Sequence, residues 1–334
     1  MKVVFLDVNK IVKVKKLNAG LIGAGHLGKI HLRLLAASEE YNLVGFYDPD
    51  VKAARQLAEE KGYVYFESQA ELIDAVEVVD IVTPTPFHHA LALECIKKGK
   101  HVFIEKPITQ TVAEAEELIA AAKQYNVKGQ VGHVERFNPA YKAVKDNVGQ
   151  PMFIESHRLA EFNPRGTDVP VILDLMIHDI DIILSVIDSP IKSISASGVA
   201  VVSETPDIAN ARIEFENGAV ANLTSSRISL KNMRKLRFFK KEAYISVDFF
   251  SKQVEVVKMK DAPEDPDEYA LLLENAEGVK KQIYFDPPKI ESSNAILEEL
   301  DTFAHAIKND STPIVTLEHA TEALRVAQRI IDCF

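Results

Sequence analysis

A chain of 334 residues with a formal charge of −10 is too acidic for a general binder of nucleic acid or of anionic membrane surfaces. Its 47% hydrophobic and 26% charged residues are the balance of a globular protein, long enough for two cores. Cys95 in an apolar helical pattern and Cys333 beside the last residue form no disulfide framework and suit a reducing cytoplasm, and no apolar run approaches the roughly 20 residues needed to span a bilayer.

The first sixteen residues, MKVVFLDVNKIVKVKK, alternate Val and Ile with Lys and Asp and lack a signal peptide's unbroken apolar core. They are expected to form an extra strand or an extension. LNAGLI then leads into Gly23-Ala24-Gly25-His26-Leu27-Gly28, followed by the helix-compatible KIHLRLLAA. This is G-x-G-x-x-G between a strand and a helix. Gly23 permits the turn, Gly25 lets the backbone approach a pyrophosphate, and Gly28 lets the helix pack on the strand. The helix N-terminus then offers free N–H groups to the phosphates.

Strand-like and helix-like segments alternate from there to about residue 131. The expected strands are 43–48, a short one at 63–66, 78–84, 101–107 and 127–133, and the helices are 50–62, 69–75, 88–99 and 111–126. Strands separated by helices predict a parallel, doubly wound sheet with ligands beyond the carboxyl ends of its strands. Those ends carry Asp48, Thr83-Pro84, Glu105-Lys106-Pro107 and His133. Asp48 lies 25 residues after Gly23, where a carboxylate accepts hydrogen bonds from ribose hydroxyls and repels a 2′-phosphate. That favours NAD over NADP, although an acid that merely opens an Asp-Pro turn has the same placing.

After Pro139 the pattern changes to β-prone alternation interrupted by one helical run, 169–187, with Asn217-Gly218 as a two-residue hairpin turn. This predicts an α+β domain with one open sheet face, suited to dimerisation. The chain closes on two amphipathic helices that can pack back on the first domain. The expected division is 1–16 extension, 17–135 nucleotide-binding domain, 136–290 substrate and oligomerisation domain, and 291–334 C-terminal helices.

Two features carry chemistry. Lys106 ends an apolar strand on the ligand side, where a solvated lysine is also common. The run VPVILDLMIHDIDIILSVI is apolar almost all round, yet Asp174, His178 and Asp181 fall on one face at i, i+4 and i+7. Such groups on a buried helix require partners or a wet cleft. They form either a satisfied structural network or a general base, His178, oriented by Asp174. No second histidine has zinc-motif spacing, so no metal is expected.

Together these pieces resemble the glucose–fructose oxidoreductase / inositol dehydrogenase / MocA (Gfo/Idh/MocA) family over nearly the whole chain. The glycine turn, Thr83-Pro84 with His88, Glu105-Lys106-Pro107 and Asp174-x-x-x-His178 match its motifs. The resemblance implies a Rossmann domain followed by an α+β domain with a large open-faced, mostly antiparallel sheet, assembled as a homodimer or homotetramer. It also implies NAD(P)-dependent redox chemistry at a sugar or cyclitol carbon. Gly23, Gly25, His26, Leu27, Gly28, Asp48, Thr83, Pro84, His88, Glu105 and Lys106 would face the cofactor. GHVERFNPAY (132–141) and DVPVILDLMIHDID (168–181) resemble the branch that includes UDP-N-acetylglucosamine 3-dehydrogenases. Arg136, Arg158, Arg165, Lys231 and Arg234 would then meet the substrate, the basic groups pairing with a diphosphate. Pro170 and Met176 depart from the family's common glycines.

The expectation is hydride transfer between NAD and the 3-position of a UDP-N-acetylhexosamine. His178 would move the hydroxyl proton, Lys106 would stabilise the alkoxide, and Asp174 would position His178 or the hydroxyl. Its rivals are a dehydrogenase of free sugar or inositol and a non-catalytic dinucleotide sensor. Partners beyond the small-molecule substrate and further copies of the chain are not expected.

Overall fold

A computed structural model describes residues 15–163, 169–265 and 270–334. Nearly all of the expected N-terminal extension, Arg165 and part of the acidic loop near 265 lie outside these residues.

The first domain is built on β1 (Leu17–Ile22), β2 (Tyr41–Tyr47), β3 (Val78–Ile81), β4 (His101–Glu105) and β5 (Gly129–Gly132). All neighbours pair in parallel, in the order β2-β1-β3-β4-β5. Between them run α1 (His26–Ala37), α2 (Val51–Lys61), α3 (Gln69–Ala75), α4 (His88–Lys97) and α5 (Val112–Gln124). Local chemistry sets the ends. A Thr111/Glu114 capping box starts α5, and Gly62 at φ +71° stops α2. Every residue of β3 is buried, as helices on both faces of a parallel sheet require. The strand expected at 63–66 reduces to one bridge, Phe46 to Tyr65.

The short helices α6 (Pro139–Lys142) and α7 (Lys145–Val148) lead to β6 (Phe153–Leu159). A π turn, Ile172–Met176, then opens α8 (Ile177–Val186). Strands β7 (Ile191–Val199), β8 (Ile208–Phe215), β9 (Val220–Ser226), β10 (Met233–Phe239), β11 (Ala243–Asp248), β12 (Gln253–Asp261), β13 (Leu271–Glu274) and β14 (Lys280–Phe285) complete a nine-stranded sheet. Its order is β13-β14-β12-β11-β10-β6-β9-β8-β7, antiparallel except between β6 and β9. Alternation along β6 buries Ile154, Ser156 and Arg158 under α8, while Phe153, Glu155 and His157 face outward. The β8–β9 turn differs from the two-residue type. Phe215 N–H donates to Ala219 O, and Gly218 N–H donates to Phe215 O. The loop therefore holds three residues with Gly218 alone at positive φ, because Asn217 does not adopt the positive φ that a type I′ turn demands.

Helices α9 (Ala295–Lys308) and α10 (Leu317–Ile331) close the chain. Phe303 and Ala304 of α9 pack into the core beside α1. Leu317, Ala320 and Leu324 of α10 join the first-domain core, while Val326, Ala327 and Ile330 join the second. Among the described residues no helix is long and apolar enough to cross a membrane.

Candidate active site

The glycine turn closes on itself. Gly23 sits at φ +99°, and a Cβ there would lie 2.8 Å from the backbone of Val82 and Thr83. A Cβ on Gly28 would lie 1.9 Å from the Gly23 carbonyl oxygen. Only glycine fits at either place. Gly25 is the N-cap of α1 and supplies no side-chain cap, so the first amides of the helix stay available to an anion. Asp48 accepts from Ala24 N–H (2.7 Å) and Asp50 N–H (2.9 Å), which fixes its carboxylate at the rim. A 460 Å³ cavity here is lined by Ala24, Gly25, His26, Lys29, Asp48 and Asp50.

At the other end, a 410 Å³ cavity is lined by residues that include Pro84, Thr85, Lys106, Val169 and Asp174. Lys106 Nζ donates to the Asp174 carbonyl oxygen at 2.7 Å and lies 3.4 Å from its carboxylate. His88 is buried behind this wall, with its two nitrogens on Thr83 O (2.8 Å) and Pro107 O (2.9 Å). Glu105 turns inward to His31 of α1 (3.3 Å), whose other nitrogen meets Asp80 of β3 (2.9 Å). Burial opposes a charge on His31, but Asp80 and Glu105 outweigh it and hold the imidazole well above its usual range. His88 and Glu105 therefore brace the strand ends that the cleft rests on.

The π turn changes the expected helix face. Ile177 N–H reaches Ile172 O, an i→i+5 bond that widens one turn and puts Asp174 on Lys106. No hydrogen bond joins Asp174 to His178. Nδ1 of His178 is enclosed without a partner, while the side chain as a whole keeps partial exposure. Burial, then the charges of Lys106, Arg158 and Arg234, push its pKa well below the usual histidine value, so the ring is neutral at pH 7.

The arginines expected at the substrate divide. Arg158 is buried, bonded to Asp179 (2.7 and 3.1 Å) and Glu135 (2.9 Å). Arg136 holds Asp181 at 2.6 and 2.8 Å and borders a separate cavity with Ser185 and His319. The structure thus brings neither to the cleft. Each neutralises a carboxylate of α8 that would otherwise be buried unpaired. Arg234 is exposed, and its charge reaches His178. Lys231 is exposed on the preceding loop. Sequence reasoning missed Glu135 and Asp179. The period-two pattern of β6 could have found them, since it puts Arg158 on the face that meets the helix.

Residues 17–133 match the model of an oxidoreductase family with an NAD-binding Rossmann fold, and residues 119–246 match the GFO/IDH/MocA C-terminal domain. The chain belongs to the Gfo/Idh/MocA oxidoreductase family. It is 37% identical over 241 residues to the UDP-N-acetylglucosamine 3-dehydrogenase of Acidithiobacillus ferrooxidans, covering 72% of this chain and 76% of that one. A solved structure of that enzyme superposes with a TM-score of 0.86 at 30% identity, covering 96% and 98% of the two chains. An inositol 2-dehydrogenase of Rubrobacter xylanophilus is 33% identical over 199 residues, 55% of this chain and 56% of that protein.

As a Gfo/Idh/MocA protein it is an NAD-binding oxidoreductase, and its residues fit the cofactor. The turn closes tightly because Gly23 and Gly28 carry no Cβ, the space beside Gly25 is open to a phosphate, and the Asp48 carboxylate, held at the rim, would meet the ribose. At the far end the Thr83 hydroxyl is buried with no protein partner, a free hydrogen-bonding group for a bound ligand.

Proposed function

We propose that this protein oxidises a secondary hydroxyl of a sugar, with a UDP-N-acetylhexosamine as substrate and its 3-position as the reacting carbon. The observation that carries this reading is the Lys106–Asp174 pair in the cleft wall, with His178 close enough to feel the Lys106 charge. When bound, NAD supplies a hydride acceptor in the oxidising direction and a hydride donor in the reverse. His178, whose imidazole is neutral and so has a free lone pair, takes the hydroxyl proton. Lys106 donates to the same oxygen as negative charge gathers on it. Asp174 aims the ammonium rather than the imidazole.

The likeness to the Acidithiobacillus ferrooxidans enzyme supports a nucleotide-linked sugar, and the exposed Arg234 and Lys231 supply charge for a diphosphate. Arg165 stands with them on sequence grounds alone. A panel of UDP-N-acetylglucosamine, UDP-N-acetylgalactosamine, free N-acetylglucosamine and inositols, with a coupled assay to catch recycled cofactor, tests the assignment. A UDP-sugar is expected to exceed the free sugars in kcat/KM by about 100-fold, the worth of one or two charge-assisted contacts to the diphosphate. Preference for an inositol would overturn the substrate class and favour the reading that the Rubrobacter relative supports.

Two copies are proposed to associate through the open face of the large sheet. Phe153, Phe239 and Tyr244 cluster there with ring centroids 5.8 and 5.2 Å apart. Sedimentation is expected to show a dimer or tetramer at micromolar concentration, weakened by Phe239→Glu; a wild-type monomer would refute it.

A further inference from the structure

Behind the catalytic pair lies a second imidazole that the mechanism above does not use. His133 follows the end of β5, and α8 places His178 and Asp181 on either side of it. The His133 and His178 rings meet edge to face, centroids 6.3 Å apart at 81°. Nδ1 of His133 lies 3.9 Å from the Asp181 carboxylate, which Arg136 holds from the other side. Both nitrogens of His133 and Nδ1 of His178 are buried with no protein partner.

We propose that His133 is a positioning residue for His178. Asp181 sets the proton on His133, and His133, through one bridging water, sets the proton on His178. The free lone pair of His178 is thereby on Nε2, towards the cleft. The proposal rests on His178 being the base.

A buried nitrogen left bare costs about 1–3 kcal/mol, a cost that a water bridging the two rings would relieve. A direct N–H···N bond of about 2.9 Å would bring the centroids to roughly 5 Å, so rings this far apart are not bonded directly, and a water is the proposed bridge. Both rings are neutral. Burial is the foremost cause for each. Lys106 of the β4 end, Arg158 of β6 and Arg234 of β10 add to it at His178, and at His133 burial with Arg136 and Lys106 outweighs the opposing carboxylates of Asp181 and Glu105. Asp181 stays a carboxylate, because the Arg136 guanidinium bonded to it overcomes the effect of its burial. A neutral imidazole has one N–H. The Asp181 anion draws that of His133 to Nδ1, which leaves Nε2 as an acceptor. In the proposed arrangement the water donates to this acceptor with one hydrogen and accepts from His178, whose proton then sits on Nδ1. When His178 takes the substrate proton on Nε2, the imidazolium keeps its Nδ1–H bond to the water, and no proton passes to Asp181.

Long-range proton–nitrogen spectra of the full chain labelled with 15N-histidine and saturated with NAD read the tautomers directly, with His178→Gln identifying the signal. At pH 7.5 His178 is expected as a single Nδ1–H form. His133→Phe and Asp181→Asn should each convert it to a mixture, and His133→Gln, whose amide oxygen replaces Nε2, should restore it. An Nε2–H form in the wild type, or a tautomer unmoved by both variants, overturns the proposal. The spectrum requires no turnover, so failure of the substrate assignment is seen separately in the panel. With a substrate that the panel identifies, His133→Phe should lower kcat about tenfold with little change in KM. An unchanged kcat in His133→Phe would count equally against the idea.

Discussion

Replacing Lys106 with methionine is expected to lower kcat by about a thousandfold, while NAD binds with near-normal affinity. The methionine keeps the length of the chain and removes the charge. The reacting oxygen then loses its donor, and the Asp174 carbonyl oxygen loses the ammonium that it holds at 2.7 Å. A second effect gives the experiment a signature. After burial, Lys106 is the foremost influence pushing the His178 pKa down. Without it the imidazole titrates at higher pH, although Arg158, His133 and Arg234 still act on it. The acid limb of the kcat profile in the oxidising direction should therefore move upward in the variant. Turnover within tenfold of wild type, or a limb displaced downward, would remove Lys106 from its proposed role.

Gly28→Ala is expected to weaken NAD binding by about 100-fold and to lower Tm by several degrees, as overpacking by about 1–3 kcal/mol does. Its Cβ would stand 1.9 Å from the Gly23 carbonyl oxygen, so α1 must withdraw from β1 and take the phosphate-binding amides with it. Gly25→Ala provides the contrast. A Cβ there meets nothing within 4 Å in the protein, so the fold should keep its Tm while the cofactor loses its close approach to the backbone. Calorimetric titration with NAD and thermal melts of both variants separate packing from binding. Equal Tm losses would show that the turn does not divide the two jobs in this way.

The nucleotide-binding half was legible because each of its strands is bounded by punctuation that physics enforces: glycine turns, Asp-Pro, a capping box. The second half was legible as a β-rich domain but less so in detail. Leu271–Glu274 is exposed throughout and shows no period-two contrast, so β13 left no trace in the pattern. The π turn was invisible for a related reason. An apolar run signals a helix without saying which carbonyl each N–H will meet, and Asp174 was assigned to His178 or the substrate hydroxyl rather than to Lys106 on that account. Arg136 and Arg158 were read as substrate contacts because positive charge was counted without its counter-charge. Asp181 and the interleaved Glu135 and Asp179 consume them. His133 stood in plain view at a strand end, but its partners are brought to it only by the docking of α8.

The charged His31 gives the first domain a rivet. It joins α1, which begins at the phosphate turn, to β3 through Asp80 and to the last residue of β4 through Glu105. Sliding any of these elements past another would pull unlike charges apart in a dry interior. The span from the pyrophosphate cradle to the Lys106 ammonium is accordingly gauged beneath the cleft floor, before any ligand arrives. A dinucleotide that spans the cleft is measured against a ruler that the protein keeps inside itself.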